Sequence, residues 1–220
     1  MASASARRDA VSLLAEQAAF YRAVAPEYGD HAIRGVSGAE PEAALETFAP
    51  AGDVLELACG PGTWTLELLR HADTVTALDA SPEMLAIASD RVGDERIRFV
   101  RADVFEWQAD RRYDVVFFGF WLSHVPMERF EEFWSRVEGW LEPGGRVFFV
   151  DDAYRTPEEL IYGEASPIVQ RRLNDGSVHR IVKVPHRPEE LEGRLRALGW
   201  AITVDALSDE RFYWGAGGRA

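Results

Sequence analysis

Residues Val54 to Thr65 read VLELACGPGTWT, an apolar strand pattern running into Gly60-Pro61-Gly62 and then at once into a helical one. No other stretch constrains the fold as tightly. Strand, glycine turn and helix in that order present bare backbone to a nucleotide-like ligand in a parallel α/β sheet. Glycine lets a ligand approach because no Cβ intervenes. The following helix N-terminus offers free N–H groups suited to a carboxylate or phosphate. Where a dinucleotide-binding turn carries its third glycine, this chain has Thr65. A pyrophosphate needs that tight, glycine-lined helix start, so the turn argues against NAD or FAD.

The rest of the chain fits such a sheet. Strand patterns at 53–58, 74–79, 97–101, 113–119 and 145–151 alternate with helical ones, which predicts parallel strands covered by helices. Ser81-Pro82-Glu83 reads as a helix start, with Ser81 as N-cap and Pro82 in the first turn. From 127 to 141, Phe130, Phe133, Trp134, Val137, Trp140 and Leu141 keep helical spacing, and Glu142-Pro143-Gly144-Gly145 reads as a turn. A leading helix over 8–24 puts Val11, Leu14, Ala18 and Tyr21 on one face. After residue 151 the pattern changes. PIVQRRL and SVHRIVKV flank Asn174-Asp175-Gly176, a hairpin signal because these residues tolerate positive φ. A helix at 188–198 and strands near 200–206 and 210–214 complete the chain.

The 220 residues suit one domain with a full-sized core, and no interdomain linker or repeat is visible. The net charge of −13 disfavours nucleic acid as a partner. Cys59 is the only cysteine, so disulfides and thiolate metal clusters are excluded. No run approaches the roughly 18 apolar residues of a bilayer span. The N-terminus lacks an uninterrupted apolar core of signal-peptide length, so a soluble cytoplasmic protein without membrane association is expected.

Two acids extend the ligand reading. Asp79 ends the second strand, where a carboxylate can accept hydrogen bonds from both ribose hydroxyls. Asp103, just past the third, is placed to accept from an adenine amino group. Turn, ribose acceptor and adenine acceptor follow one another on three successive strand ends.

ELACGPGTWT, LDASPEML, RADVFEW, YDVVFFGFWLSHVP and LEPGGRVFFVDD together resemble a class I S-adenosylmethionine-dependent methyltransferase, motif by motif across residues 53–152. The resemblance implies a Rossmann-like α/β fold: a seven-stranded, mainly parallel sheet between helices, with an antiparallel last strand. It implies S-adenosylmethionine as cofactor. Glu56, Ala58, Gly60 and Gly62 would flank its methionine part, with Asp79 and Ala80 at the ribose. Met84, Ala102, Asp103 and Val104 would surround the adenine, and the backbone of Gly119 and Phe120 would face the methionine amino group. Tyr21 and Tyr28 match an N-terminal cover, here residues 1–40, seen in similar small-molecule enzymes.

The acceptor side is read from the residues. His124, just past the fourth strand, is the candidate general base, since imidazole titrates near neutrality. Phe120 and Trp121 would wall the acceptor pocket. Asp151 and Asp152 lack a third oxygen-rich partner, so no metal is expected. Residues 168–187 carry Arg171, Arg172, Arg180, Lys183 and Arg187 against Asp175 alone. Within the insertion 153–187 these cations read either as a solvated hairpin face or as a lid for an acidic acceptor, with Arg172 and Arg180 as its binding groups. The expected activity is methylation of an oxygen, nitrogen or carbon of a small molecule. The alternatives are a nucleic-acid or protein methyltransferase, or a regulatory protein that binds the cofactor without turnover. Acceptor identity and oligomeric state are not legible in the sequence.

Overall fold

The computed structural model describes residues 4–31, 39–152, 154–208 and 211–220. Residues 32–38 of the expected N-terminal cover, Ala153 at the start of the expected insertion, and the side chain of Val11 lie outside the described part.

Helices α1 (Ala4–Val24), α2 (Tyr28–His31) and α3 (Ala39–Phe48) precede β1 (Asp53–Leu57). Then follow α4 (Thr63–Leu68), β2 (Thr74–Asp79), α5 (Pro82–Val92), β3 (Ile97–Arg101), β4 (Tyr113–Gly119), α6 (Phe130–Trp140) and β5 (Leu141–Asp152). The chain ends with β6 (Ile168–Arg172), β7 (Val178–Val182), α7 (Pro188–Ala197), β8 (Trp200–Ala206) and β9 (Phe212–Arg219). The main sheet has the order β3-β2-β1-β4-β5-β9-β8. β1 to β5 pair in parallel, and β9 runs antiparallel between β5 and β8. The order reverses at β1 and β4, and in such sheets ligands bind at the strands' carboxyl ends beside that reversal.

The central strands β1, β2 and β4 are buried on both faces, as inner parallel strands must be, whereas the edge strands β3 and β8 carry exposed positions. Leu55, Leu57, Val116, Phe118 and Phe149 pack towards α6 and α7, whereas Val54, Val75, Ala77, Val115, Phe117 and Phe148 pack with Leu45 of α3 and Leu68 of α4. Helix α6 buries Phe130, Phe133, Trp134, Val137 and Trp140, a 3.6-residue stripe, and leaves its acids in solvent. Ser81 caps α5 by accepting from Met84 N–H at 3.2 Å, with Pro82 at the first helical position.

Two expectations about boundaries change. The Glu142–Gly145 turn is absorbed into the start of β5, where Gly144 takes φ 82° and the register to β4 shifts between Tyr113 and Val115. The last strand runs to Arg219, because β9 pairs on both sides instead of ending near 214. β6 and β7 form the expected hairpin as a separate two-stranded sheet outside the main one.

Candidate active site

A cavity of about 800 Å³ opens at the carboxyl ends of β1, β2 and β4, within the size range of small-molecule sites. Its wall includes Tyr21, Tyr28, Glu56, Ala58, Gly60, Asp79, Ala80, Met84, Ala102, Asp103, Val104, Gly119, Phe120, Trp121 and His124. Of the expected site residues, Gly62, Arg172 and Arg180 are not on it.

At its floor the backbone is held in an unusual conformation. Ala58 and Phe120, just past β1 and β4, have φ 51° and 55°, a region that residues with a Cβ seldom enter. Phe120 N–H donates to Val150 C=O at 2.8 Å, which keeps the β4 exit against β5. Gly62 also has positive φ, but a Cβ there would meet the Ala88 methyl at 3.1 Å. The second glycine of the turn therefore serves the packing of α4 on α5, not the cavity wall. Thr65, where a third glycine was absent, is fully buried and donates its hydroxyl to Glu56 Oε2 at 2.6 Å. Burial pushes the Glu56 carboxyl up to about 8 against the pull of that bond.

Asp79 is tied at both oxygens. Oδ2 accepts from Gly60 N–H at 2.9 Å and Oδ1 from Ser81 N–H at 2.8 Å, so the acid and the glycine turn fix each other. Burial raises its pKa, and the backbone donors oppose the shift. Asp103 is exposed at the cavity edge and accepts from Phe105 N–H at 2.7 Å.

His124 is oriented completely. Its Nδ1 lies 2.6 Å from Val182 C=O and its Nε2 2.7 Å from the Tyr21 hydroxyl. A carbonyl only accepts, so Nδ1 carries the proton and Nε2 accepts from Tyr21. Burial, then the Lys183 and Arg171 charges, hold its pKa well below the usual imidazole value. The lone pair expected to serve as a base is engaged by Tyr21. That bond instead clips α1 over the cavity, together with Gln17, whose amide oxygen accepts from Val182 N–H at 2.9 Å.

The hairpin contributes through different residues from those expected. Arg180 is turned to Glu16 of α1, donating from Nε at 3.0 Å and from Nη2 at 2.9 Å. Arg172 donates to Gly176 C=O at the hairpin tip. Arg171 and Lys183 line the cavity instead. In β6–β7, Arg172 pairs with Val178 and Gln170 with Arg180, whereas Arg171 pairs with His179 and Val169 with Ile181. Successive strand residues face opposite sides, so Arg171 shares a face with the buried Val169 and Ile181, and Arg172 and Arg180 share the other. The inward cations are Arg171, one residue before Arg172, and Lys183, three residues after Arg180.

Lys183, 2% exposed, donates from Nζ to Asp152 Oδ2 at 2.7 Å and to Ser123 Oγ at 3.0 Å. Asp151 is fully buried and accepts from Ser123 N–H and O–H, each at 2.8 Å. The two acids at the end of β5 thus anchor a lysine. Among the described residues no group of three or more His, Cys, Asp or Glu side chains is placed to hold a metal ion. Arg171 Nε lies 2.9 Å from Glu159 Oε1.

A family model described as "Methyltransferase domain" matches residues 54–145. The solved structure of a DhpI-SAM-HEP complex superposes with a TM-score of 0.82 at 42% identity, covering 93% of this chain and 96% of that one. The chain belongs to the S-adenosylmethionine-dependent methyltransferase family. The structure fits that family's cofactor, with a cavity of suitable volume, an anchored glycine turn, and acids at the ends of β2 and β3. Among relatives of this methyltransferase, trans-aconitate 2-methyltransferase of Streptomyces avermitilis is 29% identical over 161 residues, 69% of this chain and 58% of that protein. Phosphoethanolamine N-methyltransferase 1 of Triticum aestivum is 33% identical over 106 residues, 46% of this chain and 21% of that protein. The matches thus span less than two thirds of these two relatives' length. No helix among the described residues is long and apolar enough to cross a membrane.

Proposed function

We propose that this protein is a single-domain methyltransferase that methylates an oxygen of a small oxyanion, a carboxylate or a phosphorus oxyacid, in the cytoplasm. The observation that carries the reading is Arg171 and Lys183 on the wall of the same cavity as Glu56, Gly60, Asp79 and Asp103. A guanidinium and an ammonium on that wall would supply charge-assisted donors, each worth about 1.5–3 kcal/mol towards an anionic partner. Trans-aconitate 2-methyltransferase and phosphoethanolamine N-methyltransferase are named for acceptors that carry acid groups, which agrees with an acidic acceptor here.

When bound, S-adenosylmethionine supplies an electrophilic methyl group on a sulfonium sulfur. Asp79 is the ribose acceptor and Asp103 the adenine acceptor in this reading, with Met84 and Val104 against the ring. Glu56 and the backbone at Ala58, Gly60, Gly119 and Phe120 surround the methionine part. Arg171 and Lys183 hold the acceptor, and Trp121 walls its pocket. Holding the nucleophile in line supplies much of the rate. An oxyanion arrives already deprotonated, so no base is required, and the engagement of His124 Nε2 by Tyr21 is then no obstacle. His124 acts by fastening α1 and the hairpin over the cavity, which keeps water out.

The test offers a panel of carboxylic, phosphoric and phosphonic acids, with amines and phenols as controls, together with methyl-labelled S-adenosylmethionine. The expected product gains one methyl group and loses one negative charge. Label found only on amine, phenol or carbon acceptors would overturn the oxyanion reading, and no turnover across a broad metabolite extract would favour the regulatory alternative.

A further inference from the structure

We propose that Ser123 is a positioning residue that holds the Lys183 ammonium at the cavity wall with one N–H free for the acceptor. The inference rests on the oxyanion reading above and adds a determinant of acceptor binding that lies outside the cavity lining.

Every polar group of Ser123 is committed. Its N–H and O–H both donate to Asp151, at 2.8 Å each. With the hydroxyl proton so placed, only the oxygen lone pairs remain, and one receives Lys183 Nζ at 3.0 Å. Its C=O accepts from Val184 N–H at 2.8 Å, so the chain beside Lys183 is fastened to the same residue that fastens the ammonium. An ammonium has three donors. Ser123 Oγ and Asp152 Oδ2 take two, and Lys183 lines the cavity, which leaves the third to the acceptor in this proposal.

The distance to Asp151 shows what the hydroxyl prevents. Lys183 Nζ lies 3.7 Å from Asp151 Oδ1, beyond hydrogen-bond range, with Ser123 Oγ bonded to both. In a dry interior a lysine beside two carboxylates is drawn to contact both. The serine hydroxyl satisfies Asp151 and occupies the position the ammonium would take. Without it, Asp151 loses a donor and Lys183 swings inward to replace it, withdrawing its free N–H from the cavity. Arg171, held at Glu159, would then face the acceptor alone.

The experiment measures binding of acetate and of inorganic phosphate to protein saturated with S-adenosylhomocysteine, by calorimetry. Arg171→Met and Lys183→Met should each weaken the probes more than tenfold. If neither does, or if wild type binds neither probe, the oxyanion reading itself fails. Ser123→Ala should weaken the probes about tenfold while S-adenosylhomocysteine affinity stays within threefold. Ser123→Cys, which keeps a weak acceptor at the same place, should fall between wild type and Ser123→Ala, and it carries the test if Ser123→Ala does not fold. Wild-type probe affinity in a folded Ser123 variant, with Lys183→Met impaired, overturns the positioning role. Equal losses of probe and S-adenosylhomocysteine also overturn it, because they would mark general damage to the cavity.

Discussion

Asp79→Ala is the most direct perturbation of the cofactor reading. A carboxylate offers about four lone-pair sites. In this structure the Gly60 and Ser81 N–H groups take one on each oxygen, at 2.9 and 2.8 Å. One site per oxygen remains, which matches the two hydroxyls of a ribose. Two charge-assisted bonds at the lower end of their range, about 1.5 kcal/mol each, give about 3 kcal/mol. That corresponds to a loss of affinity on the order of 150-fold. Loss of the anchor on the Gly60 turn adds to this figure. Asp79→Asn should be almost as damaging, because its NH₂ group would point at one of the two backbone donors. Calorimetric titration with S-adenosylhomocysteine measures the loss, and the 2′-deoxy and 3′-deoxy analogues give it structure. Wild type should bind each analogue about tenfold more weakly than the parent, and Asp79→Ala should bind all three alike. A folded Asp79→Ala within threefold of wild type would refute the assignment. So would a mutant that still discriminates against the deoxy analogues.

Gly62→Ala should lower stability by about 1–2 kcal/mol, since it combines φ 76° with a 3.1 Å approach to the Ala88 methyl, and the melting temperature should drop by several degrees. Glu56, held protonated to about 8 in the fold and near 4.5 when unfolded, lowers stability as pH rises from about 4.5 to 8. Glu56→Gln should remove that fall, so the variant-minus-wild-type difference in urea midpoint should grow more positive from pH 5 to 8; a flat difference would sink the assignment. Charge reversal at Arg171 should raise acceptor KM at least tenfold and at Arg172 hardly at all, with cofactor affinity unchanged in both. The opposite ranking would mean the hairpin presents its other face to the acceptor.

The placement of the residues expected at the cofactor on one cavity was legible because it is local. Gly60, Asp79 and Asp103 each follow a strand whose apolar run is unambiguous, and a parallel sheet brings successive strand ends to one edge whatever the rest of the chain does. The glycine turn pointed to S-adenosylmethionine, which the solved DhpI complex holds. What no pattern revealed is that Thr65 is partnered with Glu56 across the turn, a side-chain contact between two elements. Gly62 was assigned to the ligand on motif grounds, and its proximity to Ala88 depends on the packing of α4 against α5. His124 was found at the cavity, but its chemistry is set by Tyr21 and Val182, which lie far away in sequence on α1 and the hairpin.

The acceptor half turned on a parity that the sequence does contain. Along β6 and its continuation, Val169, Arg171 and Leu173 fall on one face, and Val169 and Leu173 are buried. On the return, Ile181 and Lys183 alternate in the same way, and Ile181 is buried. An apolar residue two positions from a cation indicates that the cation faces inwards, because the strand period is two. By that rule Arg171 and Lys183 belong to the cavity and Arg172, between Gln170 and Asn174, to the other face, whereas Arg180 lies between Val178 and Val182 and is set apart only by its pairing with Gln170 and its contact with Glu16 of α1. Charge alone could not separate them, since all four are basic within one short hairpin. Two buried acids then become intelligible. An ammonium that faces inwards in an apolar setting would cost several kcal/mol if left unpaired. Asp152 pairs with it directly, and Asp151 holds the serine that keeps it at the wall. The aspartates at the end of β5, with no metal expected there, looked like loop residues when read as a pair of acids. Read with the parity of the hairpin, they are the counter-charge that an inward lysine requires, and their place at a strand end beside β4 is what holds that lysine at the cavity wall.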